Sequence, residues 1–320
     1  MRFKIGLDSL STIPKTFIGV NWEGDQLYLA GLDQKIQGLS SIKIIEKIPI
    51  ALKLDEIQHE IKKFVKKHLL HNQEAHFILN EQQYSFHLME VPKVEPLELP
   101  KALKWICQDL VDYPIEDASI ECIHLPWPRA SDNAQMAYFI IVPKVHLIWV
   151  EDLFIDSGLK LKSIDIPEMA IRNLTQQLND LQELNLFVYL GRKQTKFLLC
   201  EKGKIVFIRQ MDLDCSYLQN ANTLISAPEV QGLVDRLSLE IQRSYDYCAT
   251  IYRQDISQLV TFFANQYFNP VIIQSLADLL GMAVKVVNLN DVVKSQENLN
   301  DWAYAIGAGL RQSENSSAIH

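Results

Sequence analysis

The chain has 320 residues, with 31 Lys and Arg against 39 Asp and Glu, for a formal net charge of −8. At roughly 150 residues per domain, this length predicts about two domains or lobes. A hydrophobic fraction of 48% with 22% charged residues excludes a mainly disordered chain, a collagen and a coiled coil. The acidic balance argues against a general nucleic-acid binder, which needs a basic footprint to displace counterions.

In chain order, Phe17 to Trp22 reads as a strand, Glu23-Gly24-Asp25 as a turn and Gln26 to Gly31 as the returning strand. A third strand is predicted at Ile42 to Ile48. Leu54 to His71 carries apolar residues at helical spacing, with Lys62, Lys63, Lys66 and Lys67 on another face. Strands are predicted at Ala75 to Leu79 and Tyr84 to Val91, and a helix at Leu99 to Val111. Further strands follow at Ile120 to Leu125 and Ala137 to Val142, then a helix at Val145 to Ser157, a strand at Leu159 to Ile164 and a helix opened by Pro167. After Leu181 the pattern begins again. Strands are predicted at Leu186 to Leu190, Thr195 to Cys200 and Lys204 to Met211, and a long helix from Val230 to Tyr252. A strand at Leu259 to Phe263, a helix at Val271 to Leu280, a strand at Ala283 to Val287 and a helix at Trp302 to Leu310 complete the series. Each half thus opens with a hairpin sheet and then alternates helices with strands. Two α/β lobes of this kind enclose a cleft.

Residues 1–17 contain no unbroken apolar stretch and no small-residue cleavage site, so no leader is expected. The most apolar window, Met136 to Val150, holds Pro143, Lys144 and His146 and is too short to span a bilayer. Five widely spaced cysteines with no CxxC suggest neither a disulfide framework nor a zinc knuckle, and fit a reducing, cytoplasmic setting.

Several segments carry a family likeness. They are Phe17 to Trp22, Leu97 to Glu116, Tyr138 to Leu174 with its VPK, SGLK and IDIPEMAIRNL, Gly203 to Arg209, Leu237 to Tyr247, and Ala305 to Arg311. In order and spacing they resemble the actin-like (ribonuclease H-like) fold, and within it the PilM branch of type IV pilus assembly with its relative MshI of mannose-sensitive haemagglutinin (MSHA) pili. The resemblance covers nearly the whole chain. It implies a first lobe at 16–180 with an inserted subdomain at about 75–149, and a second lobe at 181–312. It also implies a last helix at about 297–312 returning to the first lobe, and a disordered tail at 313–320.

Members of this family bind nucleotide between the lobes, with two hairpin turns around the phosphates, acidic residues organising magnesium, and a Gly-Gly pair beside the adenosine. Here the first turn has Asn21 in place of Asp, followed by Trp22, Glu23 and Gly24. The second has Tyr189 in place of Asp, then Leu190 and Gly191, and the glycine pair is Ala264-Asn265. These departures predict a degenerate cleft, with no cofactor expected and no ATPase activity. The resemblance implies a cytoplasmic scaffold, peripheral at the inner membrane, that captures the N-terminal segment of a PilN-type membrane protein in a groove beside the insertion. Other platform proteins, and the assembly ATPase indirectly, are further expected partners. The alternative is an ATP- and magnesium-binding switch that controls partner binding or self-assembly.

Enzyme signatures such as G-x-S-x-G, H-E-x-x-H and the P-loop are missing. Gly307-x-Gly309 lacks the third glycine of a dinucleotide site and reads as a close-packing site. His68, His71 and His76 lack further ligands for a metal set. The four-lysine face reads as solvated, the alternative being attraction to an anionic leaflet at about 1 kcal/mol per cation. Arg192, Lys193 and Lys196 read as a phosphate or carboxylate site, or as charges protecting a hairpin edge. Glu240, Arg243, Asp246 and Arg253 read as surface ion pairs. Trp127, between Pro126 and Pro128, reads either as a partner anchor or as loop packing.

Overall fold

A computed structural model describes residues 16–33, 39–51, 53–95, 97–129, 131–178, 184–191, 194–213, 218, 227–253, 256–257, 259–263, 269–296, 299 and 301–311. Strands β1 (Thr16–Glu23) and β2 (Gln26–Asp33) form a hairpin whose two-residue turn places Gly24 at φ +62°, where a side chain is disfavoured. Next come β3 (Ser41–Pro49), α1 (Leu54–Lys67) and β4 (Glu74–Ile78). Ile57, Ile61, Phe64 and Val65 are the buried stripe of α1. The helix stops earlier than its pattern suggests because Leu69 adopts φ +56°.

A three-stranded antiparallel unit follows: β5 (Ser85–Glu90), α2 (Leu99–Cys107), β6 (Ala118–His124) and β7 (Met136–Pro143), in the order β5-β7-β6. Its own small core joins Leu103 and Cys107 of α2 to Ala137, Phe139 and Ile141 of β7. The chain then re-enters the first lobe through α3 (Lys144–Phe154), β8 (Lys160–Asp165) and α4 (Pro167–Thr175). The first-lobe sheet has the order β3-β2-β1-β4-β8, with β4 parallel to both β1 and β8. The insertion is therefore shorter than the expected 75–149. Residues 74–78 are a central strand of the main sheet, and Val150, Leu153 and Phe154 of α3 join the core of α1.

The second lobe repeats the layout with β9 (Asn185–Leu190), β10 (Thr195–Glu201), β11 (Lys204–Met211), α5 (Pro228–Tyr252), β12 (Leu259–Phe263), α6 (Pro270–Leu280) and β13 (Ala283–Val287). Its sheet order is β11-β10-β9-β12-β13. The short helix α7 (Leu289–Val292) leads the chain back. Lys294 hydrogen-bonds across the β3 edge to Ser40 and Ile42, and α8 (Ala303–Gly309) then packs on the first lobe. Close approach needs glycine there. A Cβ on Gly19 would lie 1.8 Å from the Ala305 carbonyl oxygen, and one on Gly307 would lie 2.3 Å from that of Ala170. The Gly307-x-Gly309 pair is thus the surface by which α8 seats against β1 and α4. One apolar core runs from Tyr28 and Ile78 of the first lobe through α4 and α8 into the second lobe.

Candidate functional site

Described residues of both hairpin turns line one cavity between the lobes. Asn21 is paired with Tyr28 and Ile78 in the sheet and is 1% exposed, and neither atom of its amide has a hydrogen-bond partner among the described residues. Trp22 lines the cleft from the first turn. Its indole donates to the Gly24 carbonyl at 2.8 Å, and its ring lies 4.9 Å from that of Trp149. Glu23 and Asp25 sit on the rim. In the second turn, Tyr189 is buried with its ring 5.1 Å from Tyr304 of α8. The Gly191 amide donates to the Gln194 carbonyl at 3.1 Å, closing a turn too tight for a Cβ. Ala264 and Asn265, like Arg192 and Lys193, lie outside the described residues.

Sequence reasoning missed the centre of the cleft. Lys196 of β10 is neither a hairpin-edge charge nor a surface group, because its side chain has no solvent exposure. Its ammonium donates to Glu168 of α4 at 2.8 Å and pairs with Glu81 at 2.9 Å. Glu168, equally buried, also accepts from Gln210 at 2.7 Å and from the Tyr84 hydroxyl at 2.9 Å. Burial alone would lower the Lys196 pKa, but the two carboxylates outweigh it and hold it above the ordinary lysine value. Burial, then the Glu168 charge, pushes the Tyr84 hydroxyl well above the usual range, so it stays a neutral donor. A glutamate just inside a helix start reads from sequence as a helix-dipole partner; nothing local marks Glu168 as buried.

A cavity of about 510 Å³ remains beside this cluster, lined from both lobes by Trp22, Glu23, Asp25, Glu81, Gln194 and Tyr304 among others. Three of its lining side chains are carboxylates. His146, the one basic side chain among the described lining residues, is shifted down by burial toward its neutral form. Asn21 and Tyr189 provide no carboxylate for magnesium, and the buried ammonium already has acidic partners. Among the described lining residues, Glu23, Asp25 and Glu81 offer carboxylates and no Lys or Arg faces the cavity to meet a triphosphate.

A second concavity, of about 560 Å³, lies between the insertion and the first lobe. One wall is β6, an edge strand of the small sheet, and the other is β8, an edge strand of the main sheet. Ile123, Ile140, Val142, Leu147, Leu161 and Met169 line it apolarly, and Glu121, Glu151 and Lys162 give it a charged border. Arg311, just after α8, reaches Asp165 at the end of β8. Free backbone groups beside apolar pockets suit an added strand or extended peptide.

The remaining candidates resolve as structural groups. His76 bonds to Ser163 at 2.8 Å and His68 to Glu46 at 3.3 Å, and no group of three described His, Cys, Asp or Glu residues is placed to hold a metal. Cys107, Cys200 and Cys248 are buried, and burial pushes the Cys200 and Cys248 thiols up to about 12. The α1 lysines are exposed, with Lys63 paired to Glu60 and Lys67 to Glu46. Glu240 is not a surface group, because it is buried between Arg209 at 2.5 Å and Arg243 at 2.8 Å. Trp127 packs toward Tyr252 of α5, with ring centroids 6.1 Å apart, tying the insertion to the second lobe. Among the described residues no helix is long and apolar enough to cross a membrane.

No family model matches the chain, and no curated protein matches it either. Solved structures do. A PilM–PilN type IV pilus biogenesis complex is similar at 16% identity and a TM-score of 0.65, covering 92% of this chain and 97% of that one. The cytoplasmic domain of EpsL, an inner-membrane component of the type II secretion system of Vibrio cholerae, is similar at 10% identity and 0.47, covering 82% and 94%. A Bacteroides thetaiotaomicron protein with an actin-like ATPase fold is similar at 8% identity and 0.49, covering 93% and 98%. With the same strand order in both sheets, two lobes around a cleft, and a likeness at 0.65 over nearly its whole length, the chain has the actin-like fold in a PilM-like form.

Proposed function

We propose that this protein is a non-catalytic scaffold of a type IV, MSHA-like pilus assembly platform, an MshI-like relative of PilM with a degenerate nucleotide cleft. Its groove between β6 and β8 takes the cytoplasmic N-terminal segment of a PilN-type inner-membrane protein. That capture holds the scaffold in the cytoplasm at the inner membrane, where it meets other platform proteins and, through them, the assembly ATPase. The groove carries this reading: β6 and β8, each the outermost strand of its sheet among the described residues, flank one concavity of about 560 Å³ with an apolar lining and a charged border. The solved PilM structure is a complex with PilN, which supports the same class of partner.

The test is fluorescence anisotropy of a labelled peptide copying the cytoplasmic N-terminal segment of a PilN-type inner-membrane protein from the same organism. Saturable binding is expected, and Ser119→Trp is expected to weaken it at least about tenfold. Ser119 lines the groove from β6 and is part-exposed, so a bulkier ring there is expected to fill the groove, with circular dichroism of the variant checking that it folds. No saturation, or equal affinity for the variant, would sink the reading. Calorimetric titration with Mg-ATP tests the switch alternative, which requires a saturable heat.

A further inference from the structure

The two lobes of this chain meet through faces that carry polar groups. Here the groups that meet are complementary and complete. On the second-lobe sheet, Tyr189, Lys196 and Gln210 are direct cross-strand neighbours, so they form one row on one face. On the first lobe, Glu81 follows β4, Tyr84 precedes β5 and Glu168 opens α4. Lys196 donates to Glu168 at 2.8 Å and to Gln194 at 3.3 Å, and pairs with Glu81 at 2.9 Å. Glu168 in turn accepts from Lys196, from Gln210 at 2.7 Å and from Tyr84 at 2.9 Å. Next to this row, the Tyr138 hydroxyl of β7 donates to the Ile208 carbonyl at 2.8 Å and accepts from the Ile208 amide at 2.7 Å. The β11 edge is thereby pinned to the insertion.

We infer that Lys196 is a built-in counter-cation that keeps the lobes closed, so that closure is a fixed property of this chain and not a response to a bound nucleotide. The reason is geometric. A buried ion pair adds little to stability compared with apolar packing, but it is satisfied in only one relative placement of its partners. Sliding or opening the lobes separates an ammonium from both of its carboxylates and removes two of the three donors to Glu168, Lys196 and Gln210, leaving only Tyr84 of its own lobe. Tyr189 belongs to the same device: an Asp there would sit directly beside Lys196 in the row and compete for it. This inference concerns the cleft and holds whichever partner occupies the β6–β8 groove.

Hydrogen–deuterium exchange of the full chain tests it, with nucleotide-free protein compared with and without Mg-ATP. The cleft segments 78–85, 166–171, 194–198 and 206–211 are expected to exchange slowly in the nucleotide-free protein and to be unchanged by Mg-ATP. Lys196→Met leaves Glu168 and Glu81 as facing carboxylates. It is expected to speed exchange in those segments of both lobes at least tenfold while α1 and α6 keep wild-type rates. Glu81→Gln keeps the fully buried pair and covers the case in which Lys196→Met does not fold; a rise of a few fold confined to the same segments is expected. The inference is overturned if the wild-type cleft exchanges like an exposed loop, or if Mg-ATP slows it tenfold. It is equally overturned if Glu81→Gln changes nothing or loosens the whole chain evenly.

Discussion

The carbonyl oxygen of Ala305 stands 1.8 Å from the point where a Cβ on Gly19 would lie. Helix α8 therefore touches β1 backbone to backbone, and a segment from the far end of the chain completes the first lobe. Gly19→Ala forces the helix away from the sheet. Overpacking of this kind costs about 1–3 kcal/mol or more. Gly232, exposed on α5 with open space around its Cβ position, gives the opposite sign. Gly232→Ala is expected to stabilise by about 0.5–1 kcal/mol through helix propensity. Denaturant melts of both variants check the pair, and a neutral Gly19→Ala would contradict the backbone contact.

Tyr138 is held within the insertion by its ring and joined to the second lobe by its hydroxyl. Its ring stacks on Phe86 with centroids 4.6 Å apart, and its hydroxyl serves both backbone groups of Ile208. Tyr138→Phe keeps the stack and strands the backbone pair, at an expected cost of about 1–3 kcal/mol. Urea unfolding measures this, and a change within the error of the melt would show that the hydroxyl bonds contribute nothing.

The Arg311–Asp165 pair predicts a pH dependence. Burial raises the Asp165 pKa, and Arg311 works against that rise without cancelling it. The folded carboxyl thus holds its proton more tightly than the unfolded one. The stability this contributes is complete below the unfolded value, about 3.9, and is lost as pH climbs through the folded value. Removing Arg311 deepens the loss. Arg311→Gln is expected to cost about 1–3 kcal/mol at pH 7 and less toward acid, as the carboxyl takes up its proton. Thermal melts of the variant and wild type from pH 4 to 8 decide it, and a penalty that grows toward acid would reverse the assignment.

Much of the fold is legible from local pattern. The Gly24-Asp25 turn, the alternation in β1 and β2, the stripe of α1 and the proline that opens α4 are each set by residues a few positions apart. The repeated order of elements in both halves was visible for the same reason. The insertion was harder to delimit, because β4 and β5 look alike as short apolar strands. Only the parallel pairing of β4 with β1 and β8 assigns it to the main sheet.

The candidate sites divide along the same line. The sequence by itself determined that positions 21 and 189 carry an amide and a phenol, since a side chain's chemistry needs no neighbours to be read. It also determined the glycines of α8. What occupies the cleft was decided by tertiary structure. In the run Thr195-Lys196-Phe197, a lysine inside an apolar strand reads either as an edge charge or as a group that meets phosphate or a partner's carboxylates. Packing of α4 against the second-lobe sheet instead takes it wholly out of water and sets Glu168 beside it. The β6–β8 groove arises in the same way, from two strand edges about forty residues apart in sequence, and no local pattern records that distant edges will face each other.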